Sequence, residues 1–176
     1  SDGDMTYLGK AIPDYTYGVN INLAYKGIDL SMFGSGVGGN DIFTVLYRAD
    51  TPMRNSLKYY YDNAWTPENK NASMPNPQAV ATDWHFWGSS ASMFSGSYFK
   101  IKQLQLGYTL PVEITQQALI NKLRLYVSLD DFFTFTSYPG VDPETATVST
   151  APQRAGFDNG TYPQSKKITF GLNITF

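Results

Sequence analysis

The chain has 176 residues and a net charge of −2, with 13 Lys and Arg against 15 Asp and Glu, so it lacks the basic excess that marks a nucleic-acid binder. It has no cysteine, which excludes disulfides and thiolate metal sites. Only 16% of its residues are charged while 15% are aromatic, 13 of them Tyr; an average soluble protein is about 25% charged.

The first element falls at residues 14–25. Tyr15, Tyr17, Val19, Ile21, Leu23 and Tyr25 point one way, and Thr16, Gly18, Asn20, Asn22 and Ala24 the other. Period two means a strand, and the second face holds small polar groups rather than Lys and Glu. Lys26-Gly27 reads as a two-residue hairpin turn. It sets Tyr25 against Ile28, Leu23 against Leu30 and Ile21 against Met32, with Asn22 facing Ser31 on the polar side. A slip of one residue would mix the faces. The second strand ends near Gly36, in the run Gly34-Ser35-Gly36-Val37-Gly38-Gly39. That run fits G-x-G-x-x-G, with Asp62 further on, but a dinucleotide site needs a parallel βαβ unit and this is an antiparallel hairpin. The run reads instead as a flexible strand end entering a loop.

Residues 42–64 have helical character: Ile42, Leu46, Met53 and Leu57 are roughly heptad-spaced, and Thr51-Pro52 suits the N-cap and first position of a second helix. Trp65-Thr66-Pro67-Glu68-Asn69 ends it, and an Asn- and Pro-rich irregular loop runs to Pro77. Asp83-Trp84-His85-Phe86-Trp87-Gly88 is strongly aromatic. Aromatic faces suit the C–H faces of sugar rings and polar edges such as Asp83 suit hydroxyls, so Asp83, Trp84, His85 and Trp87 are candidates for contact with a substrate. Packing within an interface or at a strand end is the plainer reading.

The third strand spans residues 97–110, with Leu104, Leu106, Tyr108 and Leu110 opposed by Gln103, Gln105, Gly107 and Thr109. A short connection, with a helical turn over 114–119, leads to the fourth strand. There Leu123, Leu125, Val127 and Leu129 oppose Arg124, Tyr126, Ser128 and Asp130. A second long connection carries Asp142-Pro143-Glu144, read as a Pro-spaced turn rather than a pair of hydrolytic acids. The fifth strand begins near Ser165: Ile168, Phe170, Leu172, Ile174 and Phe176 oppose Thr169, Gly171, Asn173 and Thr175. His85 is the only histidine, so no histidine cluster for a metal is available, and no G-x-S-x-G elbow accompanies it. No enzymatic activity and no cofactor is expected.

The connections alternate short, long, short, long. Antiparallel strands with short turns at one end and long loops at the other characterise outer-membrane barrels, and structureless loops beyond about 12–15 residues are uncommon in compact soluble domains. Tyr15 and Tyr25 would stand roughly 23–25 Å apart in height on a tilted strand, close to a barrel's apolar band of about 25 Å. No apolar run long enough for a transmembrane helix exists, and transmembrane strands need none. Ser1 is not followed by a signal peptide, so a mature or truncated chain is expected. A soluble β-sandwich would carry Lys and Glu on its outer face. The expected fold is therefore all-β, an antiparallel transmembrane β-barrel segment with long extracellular loops containing short helices. Five strands would leave open edges in lipid, at several kcal/mol per unpaired group, so the remaining strands come from elsewhere.

The chain also resembles the C-terminal portion of SusC/RagA-type TonB-linked outer-membrane transporters. The resemblance rests on Gly9-Lys10-Ala11-Ile12-Pro13, Tyr25-Lys26-Gly27-Ile28-Asp29-Leu30 and Gly38-Gly39-Asn40-Asp41-Ile42. It continues through Trp65-Thr66-Pro67-Glu68-Asn69, Gly96-Ser97-Tyr98-Phe99-Lys100-Ile101-Lys102 and Leu106-Gly107-Tyr108-Thr109-Leu110-Pro111, then Thr134-Phe135-Thr136, Gly140-Val141-Asp142-Pro143-Glu144 and the terminal Phe176. The chain departs from the family pattern at Phe99–Lys102 and in the extra length of residues 84–95. The resemblance implies that residues 1–176 form the last five strands of a 22-stranded barrel, whose plug and other strands lie outside this chain. It implies energised import of oligosaccharides, or of peptides, across the bacterial outer membrane. The partners would be a SusD-like lipoprotein lid, the TonB–ExbB–ExbD complex acting through the missing N-terminal part, and membrane lipids, with no nucleic acid. Phe176 would be the signal read by the barrel-assembly machinery at the periplasmic end. A structural or adhesive barrel without transport is the alternative from another class.

Overall fold

A computed structural model describes residues 6–46, 57–76, 79–80, 82–147 and 154–176. The described chain forms two compact units. One comprises residues 16–36, 99–135 and 164–176; the other comprises the described residues within 1–15, 37–98 and 136–163.

The first unit is built on a five-stranded sheet. Its strands are β1 (Tyr15–Tyr25), β2 (Ile28–Gly38), β5 (Tyr98–Thr109), β6 (Lys122–Thr136) and β8 (Lys167–Thr175), in spatial order β1-β2-β5-β6-β8. These are the five strands that period-two alternation predicts. Ser31 Oγ donates to Asn22 Oδ1 at 2.8 Å, as the hairpin register requires. The turn has φ of 45° at Lys26 and 84° at Gly27; positive φ at both central residues matches the right-handed strand twist. β6 and β8 pair antiparallel from Lys122↔Thr175 to Asp130↔Lys167. That register sets Leu123, Leu125, Val127 and Leu129 beside Ile174, Leu172, Phe170 and Ile168. The short connection is helical, with α3 at Val112–Thr115 followed by a 3-10 turn at Gln116–Ala118.

One face of this sheet is apolar and exposed among the described residues. Tyr25 is 70% exposed, Leu23 60% and Phe170 80%, and Ile28, Leu106, Tyr108, Leu125 and Ile168 are exposed with them. A soluble sheet buries such a face; a barrel turns it to lipid. Near the other end of the strands, Tyr17, Phe99 and Phe135 form a row. The Tyr17 and Phe99 rings stack 5.8 Å apart at 7°, and Phe99 lies 6.3 Å from Phe135. Gly34 of β2 makes room for this, since a methyl there would come within 2.5 Å of Phe99 Cζ.

The second unit takes in both long connections and has a core of its own. A small sheet ordered β4-β3-β7 joins β3 (Asp41–Thr44), β4 (Met93–Ser95) and β7 (Phe157–Asp158). β3 pairs antiparallel with β4 and parallel with β7. Three expectations are corrected. Residues 41–44 are a strand, not the start of a helix: Ile42 and Thr44 are fully buried while Asp41 and Phe43 are partly so, a period of two too short to outweigh the heptad spacing in sequence. The only helix among the described residues of that stretch is α1 (Lys58–Asp62); Thr51, Pro52 and Met53, and also Pro77, lie outside the described residues. The glycine run is not a loose strand end, because β2 continues to Gly38 and Asp14 N donates to Gly38 O at 2.9 Å. Asp142-Pro143-Glu144 does not form an isolated turn but opens α4 (Pro143–Thr147), with Asp142 Oδ1 accepting from Glu144 N at 3.0 Å. Asp followed by Pro is a helix N-terminus signature.

Candidate functional site

Polar groups concentrate in two places, one in each unit. On the sheet they occupy the face opposite the apolar one. Arg124 of β6 reaches across β5 to Asp29 of β2: Nε donates to Oδ1 at 2.9 Å and a terminal nitrogen bonds the other carboxylate oxygen. This is the planar two-pronged contact that only Arg makes. It passes over Gly107, where a methyl would come within 2.4 Å of the guanidinium. The guanidinium also sits 5.0 Å from the Tyr126 ring centre. That ring in turn lies over Gly171 of β8, where a methyl would fall 2.0 Å from Cζ. A chain of contacts thus crosses β2, β5, β6 and β8. Further along, Lys102 of β5 stands 3.3 Å from Asp131 of β6. The contact is Coulombic, since Asp131 Oδ1 is buried and accepts no hydrogen bond. Asp131 has φ of 54° inside a 15-residue strand, a left-handed conformation that Asp tolerates better than most residues; such local irregularities re-aim a side chain. Sequence spacing sets Asp29 and Arg124 on the polar face, but not as partners, 95 positions apart; the same spacing puts Lys102 in phase with Leu104 and Asp131 in phase with Leu129, so their pairing is not legible there either.

The second unit holds the aromatic segment singled out in sequence. Trp84 to Trp87 form a one-turn helix, α2 (Trp84–Trp87). Asp83 starts it, its Oδ1 accepting from the backbone N–H of His85 at 3.0 Å and of Phe86 at 3.1 Å. Asp83 and His85 are exposed, and the side chain of Trp84 lies outside the described part. Trp87 is 3% exposed; its indole N–H donates to Val80 O at 2.7 Å, and Tyr60 and Phe86 meet its ring edge to face at 5.2 and 4.9 Å. Trp87 is therefore a core residue, and of the four candidates Asp83 and His85 present described side chains to the outside.

Sequence reasoning did not find the packing that holds this unit. Tyr60 and Trp87 form one buried cluster, and Ile42, Tyr138 and Ala146 another; Phe94 packs against both. Tyr138 O–H donates to the Asp158 carboxylate, whose other oxygen accepts from Gly160 N at 2.8 Å. Burial, and then the hydrogen bond and negative charge of Asp158, push the Tyr138 hydroxyl far above the usual phenol range, so it stays a proton donor. The run of three tyrosines at 59–61 was the available signal. At the chain's start, Lys10 N donates to Asp41 Oδ2 at 3.1 Å and Asp41 N donates to Lys10 O at 2.7 Å, which ties residues 8–11 to β3. The Lys10 ammonium pairs with Asp14, and that hydrogen bond raises its pKa. Among the described residues no group of three or more His, Asp or Glu could hold a metal ion, and no helix is long and apolar enough to cross a membrane.

No family model matches the chain. Among curated proteins it is similar to three of Formosa agariphila. TonB-dependent receptor P3 is 35% identical over 181 residues, taking in all of this chain and 18% of the relative. TonB-dependent receptor P26 is 27% identical over 183 residues with the same two shares. TonB-dependent receptor P39 is 26% identical over 178 residues, with 98% of this chain and 17% of the relative. The chain thus spans under a fifth of the length of these relatives. Among solved structures it is similar in fold to the RagAB peptide transporter, with a TM-score of 0.72 and 24% identity over 94% of this chain and 17% of that one. The RagAB peptide importer in its 'closed-closed' state gives a TM-score of 0.71 at the same identity, over 94% of this chain and 18% of that one.

Proposed function

We propose, on the premise that this chain belongs to the SusC/RagA-type TonB-dependent receptors of the outer membrane, that residues 1–176 are the C-terminal part of the barrel of a nutrient importer that takes up oligosaccharides. The observation that carries the barrel reading is the sheet itself. Its five strands carry exposed apolar side chains on one face and, on the other, polar groups such as Asp29 and Arg124. In this reading the polar face, with Arg124 and Asp29, lines the lumen. The barrel has 22 strands, and its plug and other strands lie in the rest of the protein. The short turns at Lys26-Gly27 and at 111–121 face the periplasm, with Phe176 as the assembly signal, and both long connections are extracellular. A SusD-like lipoprotein covers that outer side, TonB–ExbB–ExbD supplies energy through the absent N-terminal part, and no catalytic role is assigned. Asp83, Trp84 and His85 are proposed as contacts for cargo or lid. A second reading is import of peptides, after the solved neighbours described as a peptide transporter and importer, which at 24% identity speak for fold alone.

Uptake decides among these. Cells carrying the whole receptor should accumulate a fluorescent oligosaccharide, and lose that uptake when TonB is deleted. Uptake of labelled peptides alone would replace the glycan reading, and uptake of neither would favour an adhesive or structural barrel.

A further inference from the structure

The apolar face of the sheet is not a uniform wall. Ile28, Leu106, Tyr108, Leu125, Val127 and Phe170 line a groove of about 420 Å³ across β2, β5, β6 and β8, a volume within the range of small-ligand pockets, roughly 300–1,000 Å³. Phe170, 80% exposed, stands as one wall. The opposite end runs to the Lys26-Gly27 turn: Thr109 N donates to Gly27 O at 2.7 Å, and a methyl at Gly27 would lie 3.4 Å from Tyr108 Cε2. At that end the Lys26 ammonium lies 5.3 Å from the Tyr25 ring centre. The apolar trough thus has Ile28 and Tyr108 next to the turn at which Tyr25 and Lys26 supply a second phenol and a cation, the order of groups along a phospholipid from acyl chain to phosphate.

We propose that this groove and Lys26 together seat one phospholipid of the periplasmic leaflet, acyl chain in the groove and anionic headgroup at Lys26. Lipid tails are as apolar as the groove, so within a bilayer the hydrophobic effect does not favour one chain over another. Shape holds the tail, and selection falls to the headgroup, where a Lys near an anionic surface adds a favourable Coulomb contribution. Tyr25 and Tyr108 sit where amphipathic rings prefer to lie, at the headgroup level. The proposal rests on the orientation given above, with the short turns on the periplasmic side.

The test is native mass spectrometry of the whole receptor in detergent, titrated separately with phosphatidylglycerol, phosphatidylcholine of the same chains, and lipid A. The wild type should retain one more phosphatidylglycerol than Leu125→Trp, which fills the groove. Lys26→Gln should weaken phosphatidylglycerol retention about fivefold and leave phosphatidylcholine unchanged. Equal retention by wild type and Leu125→Trp would overturn the proposal. So would a Lys26→Gln variant that binds phosphatidylglycerol as the wild type does, and that variant, altered only in an exposed turn, carries the test if Leu125→Trp fails to assemble. Preferential retention of lipid A, lost in Leu125→Trp, would overturn the proposal by reversing the orientation while leaving the groove in place. The barrel reading fails separately, if the wild-type receptor shows no heat-modifiable mobility on a gel.

Discussion

At Gly171 the lack of a side chain is what lets Tyr126 lie across the neighbouring strand, and at Gly107 it is what lets Arg124 reach Asp29. Such contacts between partly exposed groups contribute modestly, on the order of 1 kcal/mol each; their larger effect is to hold side chains flat against the sheet. Tyr138 is a different case. It is buried, and it donates to a carboxylate that is 3% exposed, so removing the donor leaves a buried charge short of a partner. Tyr138→Phe should destabilise the second unit by about 1–3 kcal/mol. The pH dependence follows from the raised pKa of the folded state. Below the phenol's unfolded value of about 10 both states keep the proton and the contribution is complete. Above it the unfolded state ionises while the folded state does not, so stability falls as pH rises. Limited proteolysis of the second unit from about pH 8 to about pH 11 should accelerate more steeply in the wild type than in Tyr138→Phe; parallel slopes would refute this.

The long strands could be read because period two persists over nine to fifteen residues, enough for the pattern to outweigh any competing one. β3, β4 and β7 could not, being four, three and two residues long. Their strand character comes from pairing across long separations, as in Phe43↔Phe157, rather than from local preference. The aromatic segment at 83–88 shows the same limit from the site's side. Composition marks it, but only packing shows Trp87 turned inward against Tyr60, while Asp83 and His85 stay outside. Trp87 should therefore behave as a core residue. Trp87→Ala should cost about 3–5 kcal/mol, and the loss should stay within its unit. Protease should cut the long connections of the variant while its strands remain protected and heat-modifiable. Wild-type resistance in the variant would show that the ring is not structural.

For the whole molecule the decisive quantity is where its apolar surface lies. Tyr25, Leu23 and Phe170 are uncovered on a sheet whose two edges are β1 and β8. Water penalises the uncovered face, and lipid penalises the unpaired edges. The 176-residue chain by itself should consequently not fold as a monomer in water without detergent; a sharp monomeric species by size exclusion, with native far-UV circular dichroism, would contradict the membrane reading.

The sequence by itself determined the five long strands, their faces, the turn at Lys26-Gly27, the alternation of short and long connections, and the resemblance to outer-membrane transporters. These follow from local stereochemistry: side chains alternate along a strand, glycine tolerates positive φ, and a strand's apolar residues must share one side. Tertiary structure alone decided that the long connections build a unit with its own sheet and core. It alone decided that Trp87 belongs to that core, that Asp29 answers Arg124 over Gly107, and that the apolar face carries a groove lined by Ile28, Leu106, Tyr108, Leu125, Val127 and Phe170. Each of these depends on residues far apart in the chain meeting in space, and no local pattern encodes which distant residue will be the neighbour.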